Sequence, residues 1–275
     1  MRLPWAEDEV QGEQGRLSYC MRFNIGRVEE RLVQAVLTDG AAHLTLIDPD
    51  TQSPSEAGRM AAAAAAGGTD AIMVGGSVGA CGSILEETVK QIKERTNLPV
   101  ILFPSSAAGL CQNADAVFFM SLLNSRSTSY IVENQVLGAP LVMRYNLEPL
   151  PMAYVIVEPG GTVGWVGDAR IIPRKKPEIA AAYALAAKYL GMRMVYLEAG
   201  SGAEMPVPLD MVNAVKRVLG ETLLVVGGGI RSGAAAAELV KAGANLIVTG
   251  TAVEKSEDVT AFVLDVTRAI KCRQG

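Results

Sequence analysis

Five stretches of this chain carry residues that can bind an anion, a cation or a hydroxyl. In "HLTLIDPD" (43–50) an apolar, β-branched run stops at Asp48, followed by Pro49 and Asp50. A carboxylate there can make an Asx-turn or helix N-cap, act as a catalytic acid, or hold a hard cation. In "VGGS", Ser77 follows Gly75 and Gly76, so its hydroxyl either satisfies the turn or adds an oxygen beside Asp48 on a magnesium ion. The remaining three are "YLEAGSG" (196–202), "GGGIRS" (227–232) and "GTA" (250–252). Glycines so placed let backbone N–H groups approach an anion, and a following helix adds its positive end. Phosphate binding is the expectation. Glu198 is the one acid in "YLEAGSG", and an acid inside an apolar run is rarely buried unless it has a role. Tyr196, two residues earlier, lies on the same side of a strand.

The single histidine, His43, lies about 16 Å of strand before Asp48. Acid-base work at the Asp48 end therefore falls to carboxylates, lysines, hydroxyls or water. The basic run Arg174, Lys175, Lys176 reads as a solvated loop, with contact to a pyrophosphate as the alternative.

These stretches need elements to hold them. Strand-like segments lie at 42–47, 71–76, 99–103, 115–123, 141–158, 193–199, 222–229 and 244–250. Helical patterns fall at 54–67, 82–96, 128–138, 177–191, 208–220, 231–243 and 256–271, and a further helix, 24–40, precedes the first strand. Between the third and fourth strands only "PSSAAGLCQNA" remains, too short and glycine-rich for a helix. Eight strands alternating with helices predict an α/β (β/α)8 TIM barrel with its third helix replaced by a loop. Its active site belongs at the C-terminal strand ends, where Asp48, Ser77, Glu198 and the glycine clusters sit. The competing doubly wound sheet would need a G-x-G-x-x-G turn after the first strand, and "LIDPDTQSPSEAG" has none. The alanine run 60–68 reads as a helix packed closely on the barrel.

At 275 residues, 49% hydrophobic and 20% charged, the chain should fold as a globular protein with a substantial core. We assign 1–23 to a polar leader and 24–275 to one barrel domain, since no proline- or serine-rich linker divides it. The net charge of −4 argues against nucleic-acid binding. Four scattered cysteines without C-x-x-C spacing suggest neither zinc nor disulfides, and a cytoplasmic setting is expected. No run is long and apolar enough for a membrane span, and the first residues are too acidic for a signal peptide.

With "HLTLIDPD", "VGGSVG", "IPRKKPEIAAAYALAAKYLGMRMVYLEAGSGA", "VVGGGIRSG" and "IVTGTAVE" together, the chain resembles the geranylgeranylglyceryl phosphate synthase family over about residues 27–270. The resemblance implies a barrel lacking its third helix that uses Mg2+ to join sn-glycerol 1-phosphate to a polyprenyl (geranylgeranyl) diphosphate, the first ether-bond step of archaeal membrane phospholipids, and that forms dimers or hexamers. It places Asp48 and Ser77 on the metal. Tyr196, Leu197, Glu198, Ala199, Gly200, Ser201, Gly202, Gly228, Gly229, Gly250 and Thr251 match the glycerol-phosphate pocket. Some members carry a lysine two residues before the first-strand aspartate; here that position is Leu46, which places the chain with the other branch. The leader has no counterpart.

The chemistry of the residues agrees. An allylic diphosphate leaves once its oxygens are neutralised, so such an enzyme needs a cation, a positioned alcohol and an apolar channel. "FFMSLLNS", Tyr130 and Tyr154 are candidates for that channel or for core packing, and Glu198 for binding the hydroxyls or accepting the proton. The alternatives are a sugar-phosphate isomerase or aldolase barrel, which would be expected to bring a lysine or second acid to another strand end, and a non-catalytic phosphate-binding barrel.

Overall fold

The computed structural model describes residues 25–76 and 80–271. Eight parallel strands close on themselves in sequence order: β1 (Ala42–Ile47), β2 (Ala71–Val74), β3 (Val100–Leu102), β4 (Ala116–Leu122), β5 (Glu148–Ile156), β6 (Met194–Glu198), β7 (Leu223–Gly227) and β8 (Leu246–Thr249). The helices are α1 (Arg27–Asp39), α2 (Pro54–Ala66), α3 (Gly82–Lys93), α4 (Asn134–Arg144), α5 (Gly161–Val166), α6 (Pro177–Tyr189), α7 (Leu209–Leu219), α8 (Gly233–Lys241), α9 (Thr251–Glu254) and α10 (Val259–Ile270). Between β3 and β4 there is only a 3-10 turn, Ala107–Gly109, in place of a helix.

The period of two along each strand sorts side chains into an interior core and an outer layer under the helices. On β1, Ala42, Leu44 and Leu46 belong to the interior core and Ile47 to the outer one. On β6, Met194 and Tyr196 face in, while Val195, Leu197 and Ala199 pack under the helices. Continued by two, the inward series reaches Asp48 and Glu198 at the upper rim.

Helix α1 closes the opposite end, where Leu32 and Val33 join the interior core. Its first amides are capped by Glu148, whose carboxylate accepts from Val28 N and Glu29 N at 2.8 Å each. Buried Glu29 takes a forked pair of bonds from Arg193, with Nε at 2.7 Å from Oε1 and Nη2 at 2.7 Å from Oε2. The alanine-rich helix α2 packs as expected, burying Ala57, Gly58, Ala61 and Ala64, and is opened by Ser53, whose hydroxyl accepts from Glu56 N at 3.3 Å.

The structure departs from the sequence reading at the short helix α5, which was not expected, and at the start of β5. Residues 141–144, expected to begin a strand, instead complete α4, and β5 starts only at Glu148. Pro140 sits inside this helix, where its missing N–H leaves the Val136 carbonyl without the usual partner. Both residues are exposed, so water can take that bond. The helix stops before Asn146, which adopts a left-handed φ of 53°. The expected helix 256–271 is present as α10, and the short helix α9 before it was not expected.

Candidate active site

Interior residues and strand-end loops line a cavity of about 700 Å3 at the C-terminal end of the barrel. On one side lie Glu198, Ser201, Gly202, Gly228, Gly229, Gly250 and Thr251; on another lie Asp48 and Gly76; an apolar arm runs past Phe103, Leu110, Phe118, Phe119, Leu122 and Val142.

Glu198 is buried, and its Oε1 accepts from Gly200 N at 2.6 Å. The phenols of Tyr154 and Tyr196 lie beside this carboxylate and favour its charged form. Strand register brings these groups together: Tyr154 pairs with Tyr196, and Glu198 with Ile156 and Gly227. The two tyrosine rings stand 5.1 Å apart and pack with Phe103 at 5.3 and 5.8 Å. Burial raises the Glu198 pKa above the ordinary glutamate range, opposed by the Gly200 amide and the two phenols. Burial, and then the charge of Glu198, push both phenols well up, so they stay protonated donors.

Gly228 shows why glycine is needed beside this acid. Its φ is +81°, and a Cβ there would stand 2.4 Å from Glu198 Oε1. Across the rim, the Ser201 and Thr251 hydroxyls meet at 2.8 Å, joining the β6 and β8 loops. Arg231 donates to Ala203 O at 3.1 Å and so ties the β7 loop to the β6 loop.

Asp48 is half-buried and forms the Asx-turn: Oδ1 accepts from Asp50 N at 3.0 Å. Its backbone oxygen accepts from Thr51 N at 3.1 Å and Thr51 Oγ1 at 3.0 Å. Among the described residues the Asp50 amide is the one donor to this carboxylate, so the turn and cation readings are compatible. A Cβ on Gly76 would lie 2.3 Å from Oδ1, and glycine there keeps the approach to the carboxylate open. Burial raises the Asp48 pKa, opposed by the Asp50 amide and reinforced by the Asp50 charge.

The site residues expected from the sequence sort by geometry. Glu198, Ser201, Gly202, Gly228, Gly229, Gly250, Thr251, Tyr196 and Asp48 all line the one cavity. Leu197 and Ala199 are buried in the outer core, so they have only backbone to offer, and Gly200 reaches the site through its amide to Glu198. Ser77 lies outside the described residues. The 174–176 run is not among the residues lining this cavity: Arg174 bonds to Pro206 O at 2.8 Å and Lys176 pairs with Glu178 at 3.5 Å. His43 points into the outer layer, between the hydroxyls of Thr69 at 3.0 Å and Thr249 at 2.9 Å. Burial there lowers its pKa to about 3, with a smaller contribution from Lys271, so it is neutral.

Sequence reasoning did not place Tyr154 on Glu198, nor did it pick out Phe103, Thr51, Arg231 or Glu254 as cavity residues. The inward parity of Tyr154 on β5 was an available signal; its register against Tyr196 was not.

A parallel barrel whose last three strand ends form a glycine-lined cradle beside a buried carboxylate, with an apolar arm in the same cavity, is a (β/α)8 barrel with the arrangement that suits an anionic ligand. The chain belongs to the PcrB family, whose model matches residues 35–267. It is 69% identical over 249 residues to the geranylgeranylglyceryl phosphate synthase of Methanothrix thermoacetophila, covering 90% of this chain and 98% of the relative. The geranylgeranylglyceryl phosphate synthase of Pyrococcus horikoshii is 57% identical over 237 residues, 86% of this chain and 92% of the relative. Among solved structures, the (S)-3-O-geranylgeranylglyceryl phosphate synthase from Thermoplasma acidophilum in complex with substrate sn-glycerol-1-phosphate superposes with a TM-score of 0.86 at 43% identity, covering 90% of this chain and 99% of that one. An archaeal fructose 1,6-bisphosphate aldolase shares the fold alone, with a TM-score of 0.59 at 16% identity over 89% of this chain and 99% of that one.

Proposed function

We propose that this protein joins sn-glycerol 1-phosphate to geranylgeranyl diphosphate, forming an ether bond and releasing diphosphate, a step of archaeal-type membrane phospholipid synthesis. The observation that carries the reading is one cavity holding three things: a glycine-lined anion cradle, a buried acid that can bind hydroxyls, and an apolar arm. The synthases named above support the substrate assignment, one of them having been solved with sn-glycerol-1-phosphate.

The phosphate of the glycerol substrate sits against the loops at Gly200 to Gly202, Gly228, Gly229, Gly250 and Thr251, where close backbone and hydroxyls replace water. Glu198 accepts hydrogen bonds from the glycerol hydroxyls and orients the one that attacks. As the new carbon–oxygen bond forms and the allylic carbon–diphosphate bond breaks, the hydroxyl proton passes to Glu198, whose proton affinity burial raises. The prenyl chain lies along Phe103, Phe118, Phe119 and Leu122 in the arm left open by the missing third helix.

Asp48 fits a Mg2+ ion. It lines the cavity, and among the described residues no set of three or more His, Cys, Asp or Glu could hold a metal. A single carboxylate, a hydroxyl such as that of Ser77, water and substrate oxygens are the donors Mg2+ commonly takes. When bound, the ion would neutralise charge on the leaving diphosphate.

A Schiff-base aldolase is disfavoured, since among the described residues the only lysine lining the cavity is Lys255, exposed at the end of α9. The enzyme acts in the cytoplasm as a homo-oligomer, a dimer or hexamer; the exposed Val136, Leu137 and Met143 of α4 and Trp165 of α5 favour association. No helix among the described residues is long and apolar enough to cross a membrane.

The deciding assay is diphosphate release with geranylgeranyl diphosphate, Mg2+ and either sn-glycerol 1-phosphate or its sn-3 enantiomer. Release with the first and little with the second is expected. Release with neither refutes the proposal.

A further inference from the structure

The β1 loop that carries Asp48 and the helix α9 that opens with Thr251 come from opposite ends of the sequence, yet one side chain joins them. Glu254, half-buried at the end of α9, accepts from Thr51 Oγ1 at 3.2 Å and from Gln52 Nε2 at 3.3 Å. The Asp48 backbone N–H also faces its carboxylate. Thr51 and Gln52 are the same two side chains that reach the Asp48 carbonyl oxygen, at 3.0 and 3.3 Å. A single carboxylate thus gathers donors from two residues of the turn that aims Asp48.

At the other end of α9, Thr251 meets Ser201 across the phosphate cradle. The span from cradle to Asp48 is therefore bridged by one short helix with a contact at each end. Val253 between them is fully buried, which anchors the helix to the barrel.

We infer that Glu254 is a positioning residue: it holds the Asp48 turn at a fixed distance from the glycerol-phosphate cradle without itself contacting cation or substrate. The inference rests on the reading of Asp48 as the cation's carboxylate. The task needs an acceptor oxygen rather than a charge, because the bonds to it, at 3.2 and 3.3 Å, are longer than charge-assisted ones. An alanine at 254 leaves Thr51 and Gln52 only the Asp48 carbonyl and water, so the turn loosens. A glutamine keeps an acceptor oxygen in the same place.

The test uses the full-length protein, Glu254→Ala, Glu254→Gln, and Mn2+ as a spectroscopic probe for the divalent ion. Free Mn2+ is titrated by electron paramagnetic resonance in the absence of prenyl substrate. Partners of this kind typically change metal affinity about 10- to 100-fold, so Glu254→Ala should bind Mn2+ at least about tenfold more weakly. Glu254→Gln should stay within about threefold of the parent, since the clamp survives the loss of charge. Affinity for sn-glycerol 1-phosphate should hold in both variants. In metal-free protein, hydrogen exchange at the Asp50 and Thr51 amides, which bond to Asp48, should accelerate in the alanine variant and not in the glutamine one.

Equal weakening in both variants makes Glu254 a ligand and overturns the inference, as does unchanged Mn2+ binding in the alanine variant. If the parent protein binds no Mn2+, the cation reading of Asp48 fails. Unchanged exchange at Asp50 and Thr51 then removes the clamp as well, while faster exchange in the alanine variant alone upholds it.

Discussion

Glu198→Gln replaces a buried carboxylate with an amide of the same shape. In the parent, Oε1 takes the Gly200 amide at 2.6 Å while the phenols of Tyr154 and Tyr196 lie beside the same carboxylate. The amide keeps one acceptor oxygen for Gly200, but its nitrogen brings two protons toward phenols that are themselves protonated. It also cannot accept the proton of an attacking hydroxyl. Positioned general bases contribute about 10²- to 10⁴-fold, so turnover should fall by that factor, equivalent to roughly 3–5.5 kcal/mol of transition-state stabilisation. Michaelis constants for the prenyl diphosphate should change little, because that substrate lies along the apolar arm.

The pH dependence sharpens the expectation. Since burial raises the folded-state pKa of Glu198, the parent should lose activity on acidification at a pH above the ordinary glutamate range, and the glutamine variant should lack that limb. A carboxylate with a raised folded-state pKa destabilises the fold once pH rises through that value, so the neutral amide should leave thermal stability at pH 7 equal or higher. Initial rates of diphosphate release from pH 5 to 8, with a melting curve at each pH, measure both. A folded variant within a few-fold of parental turnover, or one retaining the acidic limb, would refute the role given to Glu198.

Asp48→Asn keeps an oxygen for the Asp50 amide and so preserves the turn, yet should raise the Mg2+ needed for half-maximal rate roughly tenfold or more; parental activity at limiting Mg2+ would return Asp48 to a turn residue. Gly228→Val, with its Cβ 2.4 Å from Glu198 Oε1 and a backbone at φ +81°, should raise the Michaelis constant for sn-glycerol 1-phosphate and lower turnover together, and an unchanged constant would move the phosphate elsewhere. His43 has a folded-state pKa lowered to about 3 from 6.5, so the unfolded chain binds its proton first. The stability it supports is complete above pH 6.5 and is lost as pH falls toward 3, and urea midpoints at pH 7 and pH 5 should therefore diverge less in His43→Gln than in the parent.

The strand and helix alternation, the missing third helix and the strand-end positions of Asp48, Glu198 and the glycines were legible in the sequence, because period and turn chemistry are local properties. The misplaced start of β5 was local too: an apolar run after Pro140 resembles a strand unless one knows that the helix face bearing the proline is solvated.

The composition of the site was a different matter. Two-residue periodicity gave Tyr196 and Glu198 a common side, but only the register of β5 on β6, with Tyr154 opposite Tyr196, brought a second phenol beside the same carboxylate. Strand alternation turns Leu197, Ala199 and His43 outward, and closure of β8 on β1 sets the Thr249 hydroxyl against the His43 ring, whose charge burial suppresses. Glu254 meets the turn at Thr51 and Gln52 across some two hundred positions, and no local pattern encodes that meeting. The sequence by itself determined which strands end in chemistry. The tertiary structure decided which of those ends share a carboxylate, because contact between them depends on the stagger of neighbouring strands and on the closure that brings β8 beside β1.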